Sequence, residues 1–150
     1  MKLLSKPMLL LLFCLSSAAV FSQKIDTRQK LFASLPETMK VSDASLIKAF
    51  SFFPGQKVSI ALSNSLVFNG EVISNEVKYS NLQNIIIRSQ QLNNALLSIS
   101  KMINADKSIT YTGRIISNNA FDGYVIKRNI AGQYNMQKVE TGKIFQDCSY

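Results

Sequence analysis

Histidine and tryptophan are absent from the 150 residues of this chain, and cysteine occurs only twice. Without histidine the chain cannot form Ser-His-Asp or Cys-His catalytic groups, histidine-containing zinc motifs, or the commonest general base. Two cysteines are too few for a four-cysteine zinc site, and no glycine-rich phosphate-binding loop occurs. The sequence therefore lacks the groups on which most hydrolase, metalloenzyme and nucleotide-dependent chemistry depends.

Acidic residues are also few, with nine aspartates and glutamates against 17 lysines and arginines. An enzyme that used carboxylates alone would draw on this small set, in which Glu71 and Glu76 lie close in sequence. Glycoside hydrolysis needs two carboxyl groups placed across a sugar, and we interpret Glu71 and Glu76 instead as surface charges. The sequence predicts no catalytic residue, no metal site and no cofactor.

The excess of basic residues gives a formal net charge of +8. Apart from the Lys127-Arg128 pair, these residues are scattered singly and form no block of like charges. A scattered positive charge favours acidic partners at a solvated surface, but it is not typical of a nucleic-acid site. We therefore predict a protein or an envelope component, including a glycan, as the partner, and no nucleic acid.

The longest apolar run lies at the N-terminus, where residues 1–22 are organised as a cleavable secretory signal peptide. Two lysines precede the apolar stretch 8–15, which is too short to span a bilayer, and small residues follow it. Cleavage is predicted between Ser22 and Gln23, with cleavage after Ala19 as the alternative. The pattern predicts a secreted or periplasmic protein with no membrane-spanning segment after cleavage.

One cysteine, Cys148, remains after this cleavage, so the mature chain is expected to form no internal disulfide. Two interpretations of Cys148 are open. It is a small buried side chain that closes the last strand, or it is a reactive thiol that ligates a metal or links two copies as a homodimer.

Helical signals lie in the first third of the chain. The segment 23–41 predicts a short helix that ends before Pro36, and a second helix is predicted over 42–53 with Ser42 or Asp43 as its cap. The apolar residues of the second helix have the spacing of one buried stripe, made of Leu46, Ile47, Phe50 and Phe53.

From residue 56 onward, apolar and polar residues alternate with the period of two that is typical of β-strands. Turns rich in Asn, Ser and Gly separate these runs. The pattern predicts a single β-rich domain over 42–150, with the helix 42–53 at its start. We expect a mainly β fold with a minor α component, built as an antiparallel meander or partly closed barrel of about seven or eight strands. Glycines within the strands are expected to mark bulges or bends: Gly70, Gly113 and Gly123.

A polar and basic strip is predicted across the wet face of this sheet. Along the seventh strand we expect Phe121, Gly123 and Val125 to point inward, which directs Tyr124 outward as an aromatic contact. The same strand also contributes Lys127 or Arg128 to the strip. The predicted binding residues besides Tyr124 are Thr110, Thr112, Arg114, Arg128, Gln133 and Asn135. Hydroxyl, amide and guanidinium groups together can bind a glycan, a carboxylate or a polar protein surface. The alternative is that any half-buried sheet shows a polar face to water.

Several short segments resemble small exported, uncharacterised proteins of Bacteroidota: FNGEV at 68–72, IIIRS at 85–89, YTGRII at 111–116, and FSQ at 21–23. That resemblance implies a secreted or envelope location. The same order of segments, followed by DGY at 122–124, is similar to the prosegments of secreted metalloproteases over residues 66–139. The catalytic domain of those proteases has no counterpart in this chain.

The sequence thus predicts a secreted or periplasmic, non-enzymatic binding module whose ligand it does not identify. Such a module would act through its polar sheet face or through an exposed edge strand. The alternative is a prosegment-like inhibitor or chaperone of a secreted zinc protease, in which the thiolate of Cys148 ligates the metal.

Overall fold

Alternating apolar side chains build the inner face of an eight-stranded antiparallel sheet, which curls into a half-barrel. The computed structural model describes residues 28–142, so the predicted signal peptide 1–22 and Cys148 lie outside the described residues. The order of strands in the sheet is β1-β8-β7-β6-β5-β4-β3-β2. The strands are β1 (Thr38–Lys40), β2 (Lys57–Ser63), β3 (Leu66–Tyr79), β4 (Leu82–Ser89), β5 (Ala95–Ile103), β6 (Ile109–Ile116), β7 (Asp122–Arg128) and β8 (Tyr134–Glu140). The predicted mainly β meander is confirmed.

The core of the protein lies on the concave side of this sheet. Each strand contributes side chains of one phase, as in β2, where Val58, Ile60 and Leu62 are buried and the residues between them are not. Because successive side chains of a strand point to opposite faces, the other phase forms the solvent-facing outer side. In the described part of the chain, no helix has the length and hydropathy needed to cross a bilayer.

The two edges of the sheet meet just after β1. The amide of Val41 donates to Tyr134 O on β8 at 2.8 Å, and the next amide, that of Ser42, donates to Leu62 O on β2 at 3.0 Å. Val41 and Ser42 therefore connect the β1–β8 side of the sheet to its other edge strand, β2. This connection holds the sheet in its curled form.

One helix, α1 (Asp43–Ala49), follows this junction and packs against β2. The Ser42 hydroxyl caps it by accepting a hydrogen bond from Ser45 N at 3.3 Å. Leu46 and Ala49 are its buried residues. Just beyond the helix, the carbonyl oxygens of Phe50 and Phe52 accept hydrogen bonds from the side-chain amide of Asn75 on β3, at 3.0 and 2.8 Å. These contacts hold that segment in a non-helical path.

The helix is therefore shorter than the predicted 42–53, and its predicted buried stripe is wrong in two positions. Ile47 is 60% exposed and Phe53 is 67% exposed. Phe53 lies beyond the end of α1, so the helical spacing that linked it to Leu46 does not apply.

The helix predicted within 23–41 does not form over residues 28–41. The backbone amides of Leu31 and Phe32 instead donate to the two carboxylate oxygens of Asp122, at 2.7 and 3.1 Å. Phe32 is nevertheless 1% exposed, because this segment lies across the inner side of the sheet. It then continues into β1, which joins the same sheet as the strands beyond residue 42.

The strand glycines lie where neighbouring backbones approach closely. A Cβ at Gly113 would lie 2.8 Å from Ser98 O, and a Cβ at Gly123 would overlap Ile115 O. The register shifts fall elsewhere, in the β2–β3 and β3–β4 ladders, and none of them is at a strand glycine. The expectation that these glycines mark bulges is therefore corrected, whereas a bend at each of them stays a prediction. They provide room for an adjacent strand.

We predict that Asp122→Ala lowers the free energy of unfolding by about 2 to 4 kcal/mol, because two inward-facing amides lose their acceptor. Asp122→Asn retains one carbonyl oxygen and should cost less. Urea denaturation of both variants beside Asp106→Ala, whose exposed carboxylate accepts hydrogen bonds from Ser108 within a turn, provides the comparison. Equal stability of Asp122→Ala and Asp106→Ala would contradict the anchoring role of Asp122.

Candidate functional site

The outer side of β1, β8, β7 and β6 carries three cations and no carboxylate. The cations are Lys40, Arg114 and Lys127, and all three are exposed. The acidic residues of these strands, Asp122 and Glu140, fall in the inward phase. We call this surface the basic face and define it by its polar outward residues: Thr38, Lys40, Thr110, Thr112, Arg114, Lys127, Asn135 and Gln137.

The strand register brings these cations together. Lys40 is opposite Asn135, and Asn135 is opposite Lys127, so the two lysines lie on either side of one amide. They are two strand spacings apart, about 10 Å. The neighbouring row of cross-strand partners contains Arg114, which is opposite Val125, and Val125 is in turn opposite Gln137. A single anionic polymer lying across the strands would therefore contact all three cations.

A depression in the sheet surface lies beside Arg114. On one side of the depression, Asn84 Oδ1 on β4 accepts hydrogen bonds from the hydroxyls of Ser98 and Ser100 on β5, at 3.4 and 3.2 Å. Hydroxyl and amide groups are thereby gathered next to the guanidinium group. The depression is lined by Asn84, Ser98, Ser100, Thr112, Gly113, Arg114, Val125, Ile126 and Lys127.

The charges of the basic face are not offset within the described chain. Over residues 28–142, the side chains of Lys40, Arg114 and Lys127 form no ion pair or hydrogen bond, since the ion pairs described there are Lys78–Glu76 and Lys138–Glu37. The other half of the outer face differs. There Glu71 lies in register between Lys57 and Arg88, so a carboxylate adjoins both cations.

Four of the predicted binding residues lie on the basic face: Thr110, Thr112, Arg114 and Asn135. Thr110 is at its margin, where its hydroxyl accepts a hydrogen bond from Asn104 Nδ2 at 2.8 Å.

Two other predicted residues, Arg128 and Gln133, do not belong to this face. Arg128 is opposite the buried Tyr134 and so has the inward phase, and its Nε donates to Gly132 O at 2.9 Å. Gln133 lies in the turn before β8, where its amide donates to Asn129 Oδ1 at 2.9 Å. Of the two alternatives, Lys127 and Arg128, it is therefore Lys127 that faces outward.

The expectation that Tyr124 is an exposed contact residue is corrected, because its side chain is fully buried. Its ring meets that of Phe32 edge-on at 5.3 Å, and its hydroxyl donates to Pro36 O at 2.6 Å. Burial, with smaller contributions from the charges of Glu37 and Asp122, raises the pKa of Tyr124 to about 12. Tyr124 is a core residue that ties the N-terminal segment to β7.

The phase of β7 explains these errors together. Both alternating sets of β7 contain apolar residues, and the sequence interpretation chose the set with Val125 as the inward one. The structure buries Tyr124 and Ile126 instead, and a change of phase by one residue moves every side chain of a strand to the opposite face. Lys40 was missed because β1 has three residues, too few to show alternation.

No group of three or more metal-ligating side chains occurs within the described range 28–142. Cys148 lies beyond that range, so both interpretations of it, as a buried side chain or as a reactive thiol, stay predictions. Comparison with known proteins finds no matching family model, no matching curated protein and no matching solved structure. The function is therefore inferred from the geometry of the chain itself.

The raised pKa of Tyr124 predicts a loss of stability at alkaline pH. A tyrosine in the unfolded chain ionises near pH 10, so between about pH 10 and 12 the unfolded state releases a proton that the folded state retains. The free energy of unfolding should fall as the pH rises through this window, and this contribution is fully present below it.

Tyr124→Phe should weaken that alkaline dependence while also costing about 1 kcal/mol at neutral pH, because the hydrogen bond to Pro36 is lost. Denaturation curves recorded at a series of pH values measure both effects. An unchanged alkaline slope in Tyr124→Phe would show that burial of this hydroxyl is not its cause.

Proposed function

We propose that this chain is an exported, non-enzymatic binding module whose basic face binds an acidic glycan of the cell envelope. The observation that carries the proposal is the cluster of Lys40, Arg114 and Lys127 on one sheet face without a neighbouring carboxylate. Exposed cations attract an anionic ligand, and the hydroxyl and amide groups between them offer hydrogen bonds to sugar hydroxyls.

The shape of the surface favours a polymer over a small metabolite. Small-molecule sites are concave and cover most of their ligand, whereas the basic face extends across four neighbouring strands, about 14 Å in width. A linear chain of sugars with carboxylate groups fits an extended strip of spaced cations. Because these cations are exposed, the interaction should be of modest strength and sensitive to salt.

The edge strands have less support as the binding element. Addition of a partner strand needs a free row of backbone groups at a sheet edge. Here Leu62 O of β2 already accepts from Ser42 N, and Ala61 O accepts from the Ser45 hydroxyl at 2.7 Å. Part of the β2 edge is therefore occupied by the chain itself.

We predict that the double variant Arg114→Gln/Lys127→Gln binds a polyuronate, such as alginate, about three- to tenfold more weakly than the parent chain. The matched control is Lys57→Gln/Arg88→Gln, which removes the same charge from the outer face where Glu71 adjoins both cations. Calorimetric titration with alginate and with neutral dextran measures the difference. All four side chains are exposed, so neither double variant should affect folding.

The proposal requires that the control double variant keeps its affinity and that added salt weakens the binding of the parent chain. Equal losses in the two double variants would show that only net charge matters. Equal binding of alginate and dextran would show that the cations are not used.

A further inference from the structure

Three hairpin turns lie at the same end of the sheet, because alternate turns of an antiparallel meander share an end. They are the β3–β4, β5–β6 and β7–β8 turns. Each of them, with the strand ends that it joins, carries large apolar side chains exposed to solvent. These side chains are Val77, Tyr79, Met102, Ile103, Ile109 and Ile130. We call this end of the molecule the apolar tips.

The opposite end of the sheet is different. Its β2–β3 turn is Asn64-Ser65, and in the β4–β5 turn the apolar Leu92 packs against the core. Phe121, beside the β6–β7 turn, is half-buried, and Lys30 lies 5.5 Å from the centre of its ring. Elsewhere in the described residues the exposed large apolar side chains are Ile47 on α1, Phe53 before β2, and Val67 and Ile73 on β3. Six of the ten exposed large apolar side chains in the described residues therefore lie at the apolar tips.

Positive charge accompanies the apolar tips. The three hairpin segments 76–83, 101–110 and 127–134 contain five lysines and arginines and two acidic residues. Of these two acidic residues, Glu76 is paired with Lys78. Asp106 accepts hydrogen bonds from the Ser108 hydroxyl and amide, which lower the pKa of its carboxyl group. The end of the molecule that exposes apolar side chains is therefore also net positive.

We propose that the apolar tips dock the protein on the surface of an anionic lipid bilayer. The β3–β4 and β5–β6 turns adjoin, because Leu82 is opposite Met102 and Ile103 N donates to Asn81 O at 2.8 Å. The β7–β8 turn with Ile130 stands apart from them, since the β6–β7 ladder ends at Gly113–Ile126, so the apolar side chains are divided between two places. A fluid interface accommodates separate tips, each inserting its own side chains among the acyl chains. The lysines and arginines remain at the level of the negative headgroups, where their charge is attracted and their alkyl stems stay apolar.

Tyr79 has the chemistry of an interfacial residue, with an apolar ring and a hydroxyl that stays in water. It lies at the end of β3 beside the short β3–β4 turn and is 69% exposed. Lipid docking at the apolar tips would leave the basic face directed sideways, because outward side chains stand perpendicular to the sheet. The two surfaces share Lys127, at the end of β7, and neither proposal rests on the other.

The absence of tryptophan makes a local test available, since a single introduced tryptophan is the only one in the chain. Ile130→Trp places this reporter on a tip, and Val67→Trp places it at a matched exposed apolar position away from the tips. Each variant of the full chain is mixed with phosphatidylcholine vesicles that contain or lack phosphatidylglycerol. Emission wavelength and quenching by brominated acyl chains report insertion.

We expect the Ile130→Trp emission to shift to shorter wavelength and to be quenched on the phosphatidylglycerol vesicles, with no such change for Val67→Trp. Residues 1–27 are the same in both variants, so attachment through the N-terminus would not distinguish the two reporters. Equal quenching of both reporters, or quenching of neither, overturns the proposal. So does a shift of Ile130→Trp that needs no vesicles and grows with protein concentration, because a second copy would then cover the tips.

A second pair of variants measures affinity by cosedimentation with the same vesicles. Ile130→Asp should lower the partition coefficient about tenfold, because one inserted side chain is lost and a repelled charge is gained. Val67→Asp carries the same change in charge and should leave the coefficient close to that of the parent chain. Equal losses in both variants, or equal partitioning of the parent chain into vesicles without phosphatidylglycerol, would contradict the proposal.

Discussion

The arrangement of the N-terminal segment depends on the hydrogen bonds that the Asp122 carboxylate accepts from it. By accepting the amides of Leu31 and Phe32, the carboxylate fixes a stretch of chain that is about 90 residues away in sequence. Phe32 is thereby set against the ring of Tyr124, whose hydroxyl holds Pro36 just before β1. The placement of β1, and with it Lys40 on the basic face, follows from this series of contacts.

The same series explains what could and could not be predicted from the sequence. Alternation along Val58, Ile60 and Leu62 predicts a strand, because the inward phase is apolar and the outward phase is not. The N-terminal helix was wrong because local spacing cannot reveal that a remote carboxylate takes the amides of Leu31 and Phe32. In the sequence, a buried aspartate whose partners are backbone amides is not distinguishable from an aspartate in a turn.

The basic face also shows that a local sequence pattern does not always predict which face of a strand a residue occupies. Thr112 and Arg114 were placed on the correct face because Tyr111 and Ile115 alternate with them as clear inward residues. In β7 both phases contain apolar residues, so alternation alone did not choose between Tyr124 and Val125. The choice depends on Asp122, since its bonds to the N-terminal segment fix the inward phase that it shares with Tyr124. Tertiary contacts therefore decide which of two neighbouring cations, Lys127 or Arg128, faces outward.

The exposure of Ile130 is best understood from the turn that holds it. The fold of that turn depends on Asn129, whose side chain accepts the amide of Gln133, and on Gly132, whose φ of +81° favours glycine. Arg128 closes the turn through Gly132 O. Ile130 makes none of these contacts and is fully exposed, so its large apolar side chain does not stabilise the turn. A polar residue would serve the turn equally well, so the apolar side chain of Ile130 is available for the lipid contact that we propose.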